Sequence, residues 1–414
     1  MAPVGSWESF WAAVQGGADA VYFGIEGLNM RARSAKTFDI EDMRRIAEEC
    51  RARGIHSYLT VNTIIYDGDM ELMHSIIDAA KDAQVSAIIA SDVAAMSYAY
   101  ERGVEVHLST QLNITNVTAL KFYARFADVV VLARELNLEQ VRTIYDAIQK
   151  EEIRGPKGEL IRIEMFAHGA LCMAVSGKCY MSLHEMNSSA NRGACNQICR
   201  RGYTVTDNST GDELDIENEY IMSPKDLKTI HFLNKMMDAG VRVLKIEGRA
   251  RGPEYVRTVT SCYDEAIKAV ADGTYGEDKI RRWDERLSTV FNRGFWDGYY
   301  LGRRLGEWTH KYGSDATRVK IGVGRVNRYY TKLGVAEFEL ESGYIEEGEE
   351  LLVTGPTTGA VFFGAEQMHL DEGTTRKVDE KGTLFSIKVP EKMRPNDRLY
   401  VMRLKENKET GHGY

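Results

Sequence analysis

Four of the six cysteines lie close together, within a glycine- and serine-rich stretch of the chain. They are Cys172, Cys179, Cys195 and Cys199. A loop of this composition can bend around a metal, and four thiolates suit either a tetrahedral zinc ion or a 4Fe-4S cluster. Zinc sites usually pair their cysteines as CxxC, and this spacing contains no such pair, which favours the iron-sulfur cluster. The alternative is four free cysteines packed as small apolar residues, and their density argues against it.

The composition sets the compartment in which these thiols are expected. The N-terminal segment MAPVGSWESFWAAVQGGADA has no basic start followed by an apolar run, and no segment is apolar over the ~18 residues of a membrane span. We therefore expect a cytoplasmic protein, where clustered cysteines indicate a metal or redox site more often than disulfides. The net charge of −8 argues against nonspecific coating of nucleic acid but allows a local basic patch. Cys50 and Cys262 lie in amphipathic stretches and are interpreted as core packing.

Short apolar runs alternate with amphipathic stretches through the first two thirds of the chain. Strands are predicted at 20–24, 57–62, 87–91, 104–110, 128–133, 161–168 and 241–247. Helices are predicted at 7–16, 40–53, 69–83, 92–102, 115–126, 137–150, 225–239 and 253–272. This alternation favours an α/β fold of the TIM-type (β/α)8 barrel class, with an open doubly wound sheet as the alternative. The first barrel strand should precede Pro3, so we expect it to be clipped or very short.

Four regions follow from these patterns. Residues 1–272 are expected to form the barrel, interrupted at 170–219 by a cysteine-rich insertion on the active face, with a hairpin turn in DNSTGD. Residues 273–315 are expected to be a helical linker. Six strand-like runs over 316–405 predict a small C-terminal β-barrel domain. The tail 406–414 is expected to be disordered.

Barrel enzymes carry their chemistry where strands end, so polar residues at those positions are the candidates. Glu164 and Glu247 could act as acid or base, or could hold neighbouring arginines in place. His168 lies four residues before Cys172 and could serve as a base to that thiolate. Further candidates at strand ends, for substrate or anion contacts, are Arg31, Arg33, Gln111, Arg134 and Arg249. For each arginine the alternative is a salt bridge at the rim.

From Glu164 to Ser182 the chain reads EMFAHGALCMAVSGKCYMS, which resembles the signature of the collagenase-like peptidase family of unassigned mechanism. The residues that comply with this signature are Glu164, Phe166, Gly169, Ala170, Cys172, Gly177, Cys179 and Ser182. The segments APVGSWES, GGADAVYFG, NMRARS, NRGACNQICRRGY and KIEGRARGPEYV resemble the same family, so the resemblance covers residues 2–310. The C-terminal region resembles the extra domain of the family's tRNA-hydroxylating branch.

The resemblance implies a hydroxylase that works without molecular oxygen and holds a 4Fe-4S cluster on all four cysteines. Its tRNA branch helps to make 5-hydroxyuridine at the wobble position and depends on prephenate, whereas other branches hydroxylate ribosomal RNA cytidine or a ubiquinone precursor. We therefore expect tRNA, through its anticodon region, prephenate and an electron donor as partners, and no membrane. Prephenate is a dicarboxylate that the strand-end arginines could bind, whereas Arg192, Arg200, Arg201 and Tyr203 could contact RNA by phosphate contacts and stacking. The alternative for these last residues is a solvated face.

Two other functions remain open. A peptidase should show its machinery, but the chain has no HExxH helix, no GxSxG elbow and no recognisable cysteine-histidine pair of a known family. If all four cysteines hold metal, Cys172 is not available as a nucleophile. The other possibility is an RNA-binding module in which the cluster is purely structural.

Overall fold

The protein is described from a computed structural model, which covers residues 1–30, 38–211, 213–214, 220, 222–302 and 305–405. The chain up to residue 302 forms a mixed α/β unit, and residues from 318 onwards form a separate antiparallel sheet. No helix in these described ranges combines the length and apolarity needed to cross a bilayer.

The α/β unit is built on a ten-stranded sheet that is mostly parallel. The strands of this unit, a short hairpin included, are β1 Ala2–Pro3, β2 Ala20–Phe23, β3 His56–Val61, β4 Ala87–Ala90, β5 Val106–Leu108, β6 Val129–Val131, β7 Arg162–Gly169, β8 Val205–Thr206, β9 Glu213–Leu214, β10 Asp226–Lys228, β11 Val241–Ile246 and β12 Phe295–Trp296. Strands β1 to β7 pair in sequence order and in parallel, and β11 pairs in parallel with β7. The predicted first strand is present and is two residues long.

Helices follow most of these strands, as the alternating pattern predicted. They are α1 Trp7–Gln15, α2 Ile40–Ala52, α3 Met70–Asp82, α4 Val93–Glu101, α5 Val117–Tyr123, α6 Leu138–Lys150, α7 Met181–Met186, α8 Leu233–Asp238, α9 Pro253–Ala271 and α10 Glu277–Thr289. Five of the helices start at a side chain that accepts a hydrogen bond from a backbone N–H of the first turn. These caps are Ser6, Asp39, Asp92, Asn116 and Asn137.

The two faces of the parallel sheet carry different side chains. Residues such as Phe23, Leu59 and Val106 belong to the large core that packs under the helices. On the opposite face Tyr22 lies beside Tyr58 in the register of β2 and β3, in a separate buried cluster. Because both faces are covered, β2 and β4 are buried at every position.

The ends of the parallel array approach each other at Met1. The N-terminal ammonium donates to the Leu244 carbonyl at 2.8 Å, and the Ile246 N–H donates to the Met1 carbonyl at 3.1 Å. The strand pairing of the described residues ends at β1 on one side, so a closed ring of strands is not shown.

The predicted helix over 225–239 is wrong in its first half. Residues 226–228 form β10, which runs antiparallel to the end of β7, and only 233–238 are α-helical, after a 3₁₀ turn at Ile230–Phe232. The Thr229 hydroxyl donates to the Ala167 carbonyl at 2.9 Å, which keeps this part of the chain against β7. The predicted hairpin is present as β8 paired with β9, whereas the predicted linker contains α10 and then β12.

All six strands predicted after residue 316 are present, with four more. They are β13 Arg318–Tyr330, β14 Val335–Leu340, β15 Ile345–Glu346, β16 Glu350–Gly355, β17 Gly359–Gly364, β18 Met368–Leu370, β19 Gly373–Thr375, β20 Lys377–Val378, β21 Leu384–Lys388 and β22 Arg398–Leu404. Eight of them form one sheet in the order β17-β16-β22-β13-β14-β21-β18-β19, around a core of its own. This order has two ends among the described residues, which form an antiparallel sheet; closure into a β-barrel is not shown.

Candidate functional site

Polar side chains at the carboxyl ends of β3, β4 and β5 are connected by hydrogen bonds. Asn62, which follows β3, donates from Nδ2 to Ser109 Oγ at 3.3 Å and accepts from Ser91 Oγ at its carbonyl at 2.9 Å. Gln111 Nε2 donates to the same carbonyl at 3.3 Å. The predicted binding residue Gln111 is therefore held at the mouth of the parallel strands, beside Asn62.

Arg249 reaches the same mouth from the segment after β11. Its Nη1 donates to Thr60 Oγ1 at 2.9 Å and to Asn29 Oδ1 at 3.3 Å, and the residue is 8% exposed. A Cβ at Gly24 would lie 2.8 Å from Nη1 of Arg249, so Arg249 would have to shift if this residue carried a side chain. The structure thus brings Arg249 to the strand ends, as predicted, but in a buried hydrogen-bonded position.

The cysteine-rich insertion lies over these strand ends. Asn113 Nδ2 donates to the Ser176 carbonyl at 3.0 Å, and a Cβ on Gly177 would lie 2.8 Å from Gln111. Arg192 Nη1 donates to the Ile64 carbonyl at 2.7 Å and forms an ion pair with Asp69. Arg192 therefore fastens the insertion to the segment after β3.

The four clustered cysteines are unlinked thiols. Cys172 is exposed, and Cys179, Cys195 and Cys199 are partly buried. Burial raises the pKa of the Cys199 thiol, the nearby Arg200 opposes this, and the other three cysteines raise it further, so all four thiols lie within electrostatic reach. Among the described residues, no three His, Cys, Asp or Glu side chains converge as ligands of a single metal ion.

Arg200 is largely buried and is held by hydrogen bonds within the protein. It is 9% exposed, and its guanidinium donates to Ser223 Oγ at 3.0 Å and to the carbonyls of Pro224 and Leu171 at 2.5 and 2.6 Å. Three of its five N–H donors bond to the protein, so Arg200 positions the chain next to Cys172, and the residue also lines the cavity beside Cys195. Arg201 is exposed and contacts only Met186 Sδ, at 3.8 Å, among the described residues.

Glu164 lies inside the parallel array and not at its rim. Its Oε1 is 2.8 Å from Lys245 Nζ, and both side chains are buried. Its Oε2 lies 3.9 Å from His107 Nδ1, and neither of these two atoms has a hydrogen-bond partner in the described part of the chain. Glu164 therefore pairs with a cation, which is one of its two predicted roles. The cation is Lys245 and not an arginine.

His168 faces the helices and not the cysteines. Its ring packs against Tyr255, Tyr263 and Phe295, and its Nδ1 lies 3.4 Å from the Tyr263 hydroxyl. Burial lowers the pKa of His168 to about 3, with a smaller contribution from Lys228. The side chain is thus a neutral imidazole at neutral pH, packed among aromatic rings.

Four predicted residues remain: Glu247, Arg134, Arg31 and Arg33. Glu247 is partly buried and accepts from the Tyr22 hydroxyl at 3.4 Å. Arg134 stacks over Phe166 at 3.9 Å and donates to the Ala170 carbonyl at 3.3 Å, while its buried Nε has no partner among the described residues. Arg31 and Arg33 lie outside the described residues.

A basic cavity beside Cys195 was missed by the sequence analysis. It has a volume of about 550 Å³, and its lining includes Arg251, Arg293 and Lys311. These cations come from separate segments after β11 and around β12, so no local motif joins them. The available signal was Arg251, two residues beyond Arg249 in KIEGRARGPEYV.

Comparison with known proteins agrees with the predicted resemblance. Residues 5–310 match the peptidase family U32. A protein named collagenase from Porphyromonas gingivalis is 70% identical over 400 residues, which cover 97% of this chain and 96% of that protein. The tRNA hydroxylation protein P1 of Bacillus subtilis is 32% identical over 364 residues, 86% of this chain and 83% of that protein. A 23S rRNA 5-hydroxycytidine synthase of Escherichia coli is 33% identical over 302 residues, 71% of this chain and 44% of that protein. The family match and the extent of these similarities show that the chain belongs to peptidase family U32.

Proposed function

We propose that this chain is an RNA-modifying hydroxylase that acts on the wobble uridine of tRNA, without molecular oxygen and with prephenate as co-substrate. In this proposal Cys172, Cys179, Cys195 and Cys199 hold a 4Fe-4S cluster. The observation that carries the proposal is a set of four unlinked cysteines in an insertion over the carboxyl ends of parallel strands, one of which, Cys195, lines a basic cavity.

The chemistry of the donor set fits such a cluster. All four ligands would be thiols from one insertion, none is used in a disulfide, and the remaining cysteines, Cys50 and Cys262, are buried in helices elsewhere. Residues with positive φ, such as Gly177, Gly193 and Gln197, turn the chain between the cysteines. When bound by four thiolates, a 4Fe-4S cluster supplies one-electron transfer.

RNA as the substrate is supported by the charge around the cysteines and by two relatives. One relative is named for tRNA hydroxylation and another for a modified cytidine of 23S rRNA. Cations and exposed aromatic rings near the thiols are what a nucleotide lifted out of its stack requires. The anticodon loop presents such a nucleotide in single-stranded form.

Prephenate would bind at the mouth of the parallel strands. Arg134 fits a carboxylate ligand because its Nε is buried without a partner in the described residues. Arg249, in the segment after β11, lies in a polar network with Thr60 and Asn29. Arg31 and Arg33 remain predicted contacts, and an electron donor remains a predicted partner.

We also infer that the parallel strands close into a TIM-type barrel. The two hydrogen bonds of Met1 with Leu244 and Ile246 join the first-strand region to β11, which is the pairing that closure requires. Closure would place Tyr22, Tyr58 and the Glu164–Lys245 pair in the barrel interior.

Proteolysis is the second candidate, because the relative with 70% identity is named collagenase. A cysteine peptidase needs a base within hydrogen-bond reach of its thiol. His168, the predicted base, packs instead against Tyr255, Tyr263 and Phe295. We therefore rank hydroxylation first.

Iron content and visible absorbance of anaerobically purified protein test the proposal. We expect about four irons per chain in the wild type, loss of iron in each of the four cysteine-to-serine variants, and retention in Cys50→Ser as the matched control. A colourless, iron-free protein that cleaves collagen would overturn the proposal.

A further inference from the structure

The cavity beside Cys195 is formed where the insertion meets three other segments, one after β11, one just before β12 and one after β12. We call it the arginine cavity and define it by Arg201, Arg251, Phe291, Arg293, Lys311 and Tyr312. Its volume is about 550 Å³, which exceeds that of a phosphate group and leaves room for part of a nucleotide. Its position places any ligand next to a proposed ligand of the cluster.

Positive charge in this region exceeds negative charge. Asp226 is a buried carboxylate, and Arg293 approaches it at 3.5 Å. Arg200 and Arg251 share the same carboxylate at longer range, while Lys311 pairs with Asp315 at 2.5 Å. Three guanidinium groups lie around Asp226, with Glu247 as a second carboxylate within reach of Arg251. The arginines outnumber the carboxylates in this half-buried site, and an excess of positive charge favours an anionic ligand.

Arg251 presents its donors to the cavity. Its guanidinium stacks on Phe291 at 3.5 Å, which fixes its plane. Within the described residues, its side chain has neither a hydrogen bond nor an ion pair. Burial lowers the pKa of Arg251, the charge of Arg293 lowers it further, and Asp226 opposes both effects. Arg251 is thus oriented by stacking on Phe291, close to the like charge of Arg293 and within longer reach of Asp226.

The rim of the cavity carries an exposed aromatic ring. Tyr312 is 76% exposed, and Arg201 beside the cavity is exposed as well. Sites for small carboxylate ligands usually enclose most of the ligand, whereas single-stranded nucleic acid is bound by cations along its backbone and by aromatic rings that stack on its bases. The cavity is open, Arg251 has guanidinium donors without a partner among the described residues, and a tyrosine is exposed at the rim; this combination favours RNA over a small dicarboxylate.

We propose that the arginine cavity binds a backbone phosphate of the RNA substrate, with Arg251 and Arg293 donating to its oxygens and Tyr312 stacking on a neighbouring base. This proposal rests on the proposed function in taking RNA as the substrate. It assigns phosphate recognition to residues after β11 and before β12, instead of to Arg200.

The test is the binding of iron-loaded protein to an isolated tRNA anticodon stem-loop over a range of salt concentrations. For Arg251→Gln and Arg293→Gln we expect binding about tenfold weaker at low salt and a salt dependence reduced by about one phosphate contact each. Arg251→Lys should keep the salt dependence, because its charge is retained. Arg44→Gln is the matched control, since Arg44 is an exposed arginine on α2, with Glu41 as its partner. Thermal unfolding and iron content show that each variant is folded and loaded.

The outcomes separate this proposal from the proposed function. If both glutamine variants are folded and bind the stem-loop like the wild type, the cavity does not bind phosphate, and 5-hydroxyuridine formation by the wild type would leave the proposed function standing. If the glutamine variants keep their RNA affinity but their formation of 5-hydroxyuridine no longer depends on prephenate, the cavity binds the small anion and the proposal is overturned. If the wild type itself binds no tRNA, both proposals fail.

Discussion

Arg200 and Arg201 are adjacent in the sequence and have opposite surroundings. The guanidinium of Arg200 is buried and donates to Ser223 and to the carbonyls of Pro224 and Leu171. Arg201 is exposed. A charge pattern in the sequence cannot separate two such residues, because the acceptors of Arg200 lie 23 to 29 positions away in the chain.

Loss of the Arg200 side chain should therefore destabilise the insertion. We expect Arg200→Gln to lower the free energy of unfolding by about 3 kcal/mol, because it leaves buried carbonyl groups without donors. Arg201→Gln should change it by less than about 0.5 kcal/mol. Urea unfolding of the two variants measures both values, and equal stabilities would contradict the positioning role of Arg200.

His168 should make the fold sensitive to acid. Burial lowers its pKa from the ordinary value of 6.5 to about 3, so the unfolded chain binds a proton at a pH where the folded protein does not. Above pH 6.5 this group does not change the free energy of unfolding. As the pH falls from 6.5 towards 3 the free energy of unfolding decreases, by about 2 kcal/mol at pH 5.

Urea unfolding at pH 7 and pH 5 tests this expectation. His168→Phe places another aromatic ring beside Tyr263 and Phe295. Between pH 7 and pH 5 its free energy of unfolding should decrease by about 2 kcal/mol less than that of the wild type. An identical loss in the wild type and the variant would show that His168 is not a buried neutral imidazole.

For the predicted acidic residues, the sequence indicated their positions but not their partners. Both residues were found from apolar runs: Glu247 directly follows β11 as predicted, whereas Glu164 lies within β7 and not at its end. Their partners were not found, since Lys245 is 81 positions from Glu164 and Tyr22 is 225 positions from Glu247. Such pairs depend on strand register, which the sequence does not state.

At the scale of elements, the junction between the insertion and the strand ends depends on close backbone packing. Gly177 has φ +73°, and a Cβ there would lie 2.8 Å from Cβ and Cγ of Gln111. Gly158 has φ +81°, and a Cβ there would meet nothing within 4 Å. The two glycines therefore share a conformation but differ in their surroundings.

This pair gives a controlled prediction. Gly158→Ala should cost about 1 kcal/mol of unfolding free energy from backbone strain alone. Gly177→Ala should cost at least about 1 kcal/mol more, because the insertion must move away from Gln111. It should also lower the iron content of the purified protein. Equal costs and equal iron content would show that the insertion does not depend on this contact.

The elements themselves were largely predictable, and the exception has a physical reason. Parallel strands covered on both faces produce apolar runs, so the predicted strands match β2 to β7 and β11 closely. The segment 225–239 has a helical pattern, but its first residues pair with β7 and Asp226 faces Arg293. Long-range pairing of this kind overrides a local pattern.

At the scale of the whole molecule, the C-terminal sheet packs on helices of the α/β unit. Gln15 on α1 donates from Nε2 to the Thr358 carbonyl at 2.9 Å, and Lys320 pairs with Glu254 on α9 at 2.9 Å. Leu352, Ala360 and Met402 of this sheet belong to the large core of the α/β unit. The sheet therefore supports the α1–α9 side of the unit, whereas the cysteines and the arginine cavity lie at the strand ends.

The chemistry of the whole molecule was only partly accessible from the sequence. The cysteine cluster was recognised because its members are close in the chain and form a motif. The arginine cavity was not, because folding assembles it from the insertion and from segments near residues 251, 293 and 311.

The most direct test of the account is nucleoside mass spectrometry of tRNA from a bacterial strain that lacks 5-hydroxyuridine and expresses this protein. We predict that the wild type restores 5-hydroxyuridine and that serine variants of Cys172, Cys179, Cys195 and Cys199 do not, although they are present as folded protein. Absence of 5-hydroxyuridine in a strain that contains folded, iron-loaded wild-type protein and sufficient prephenate would contradict the account.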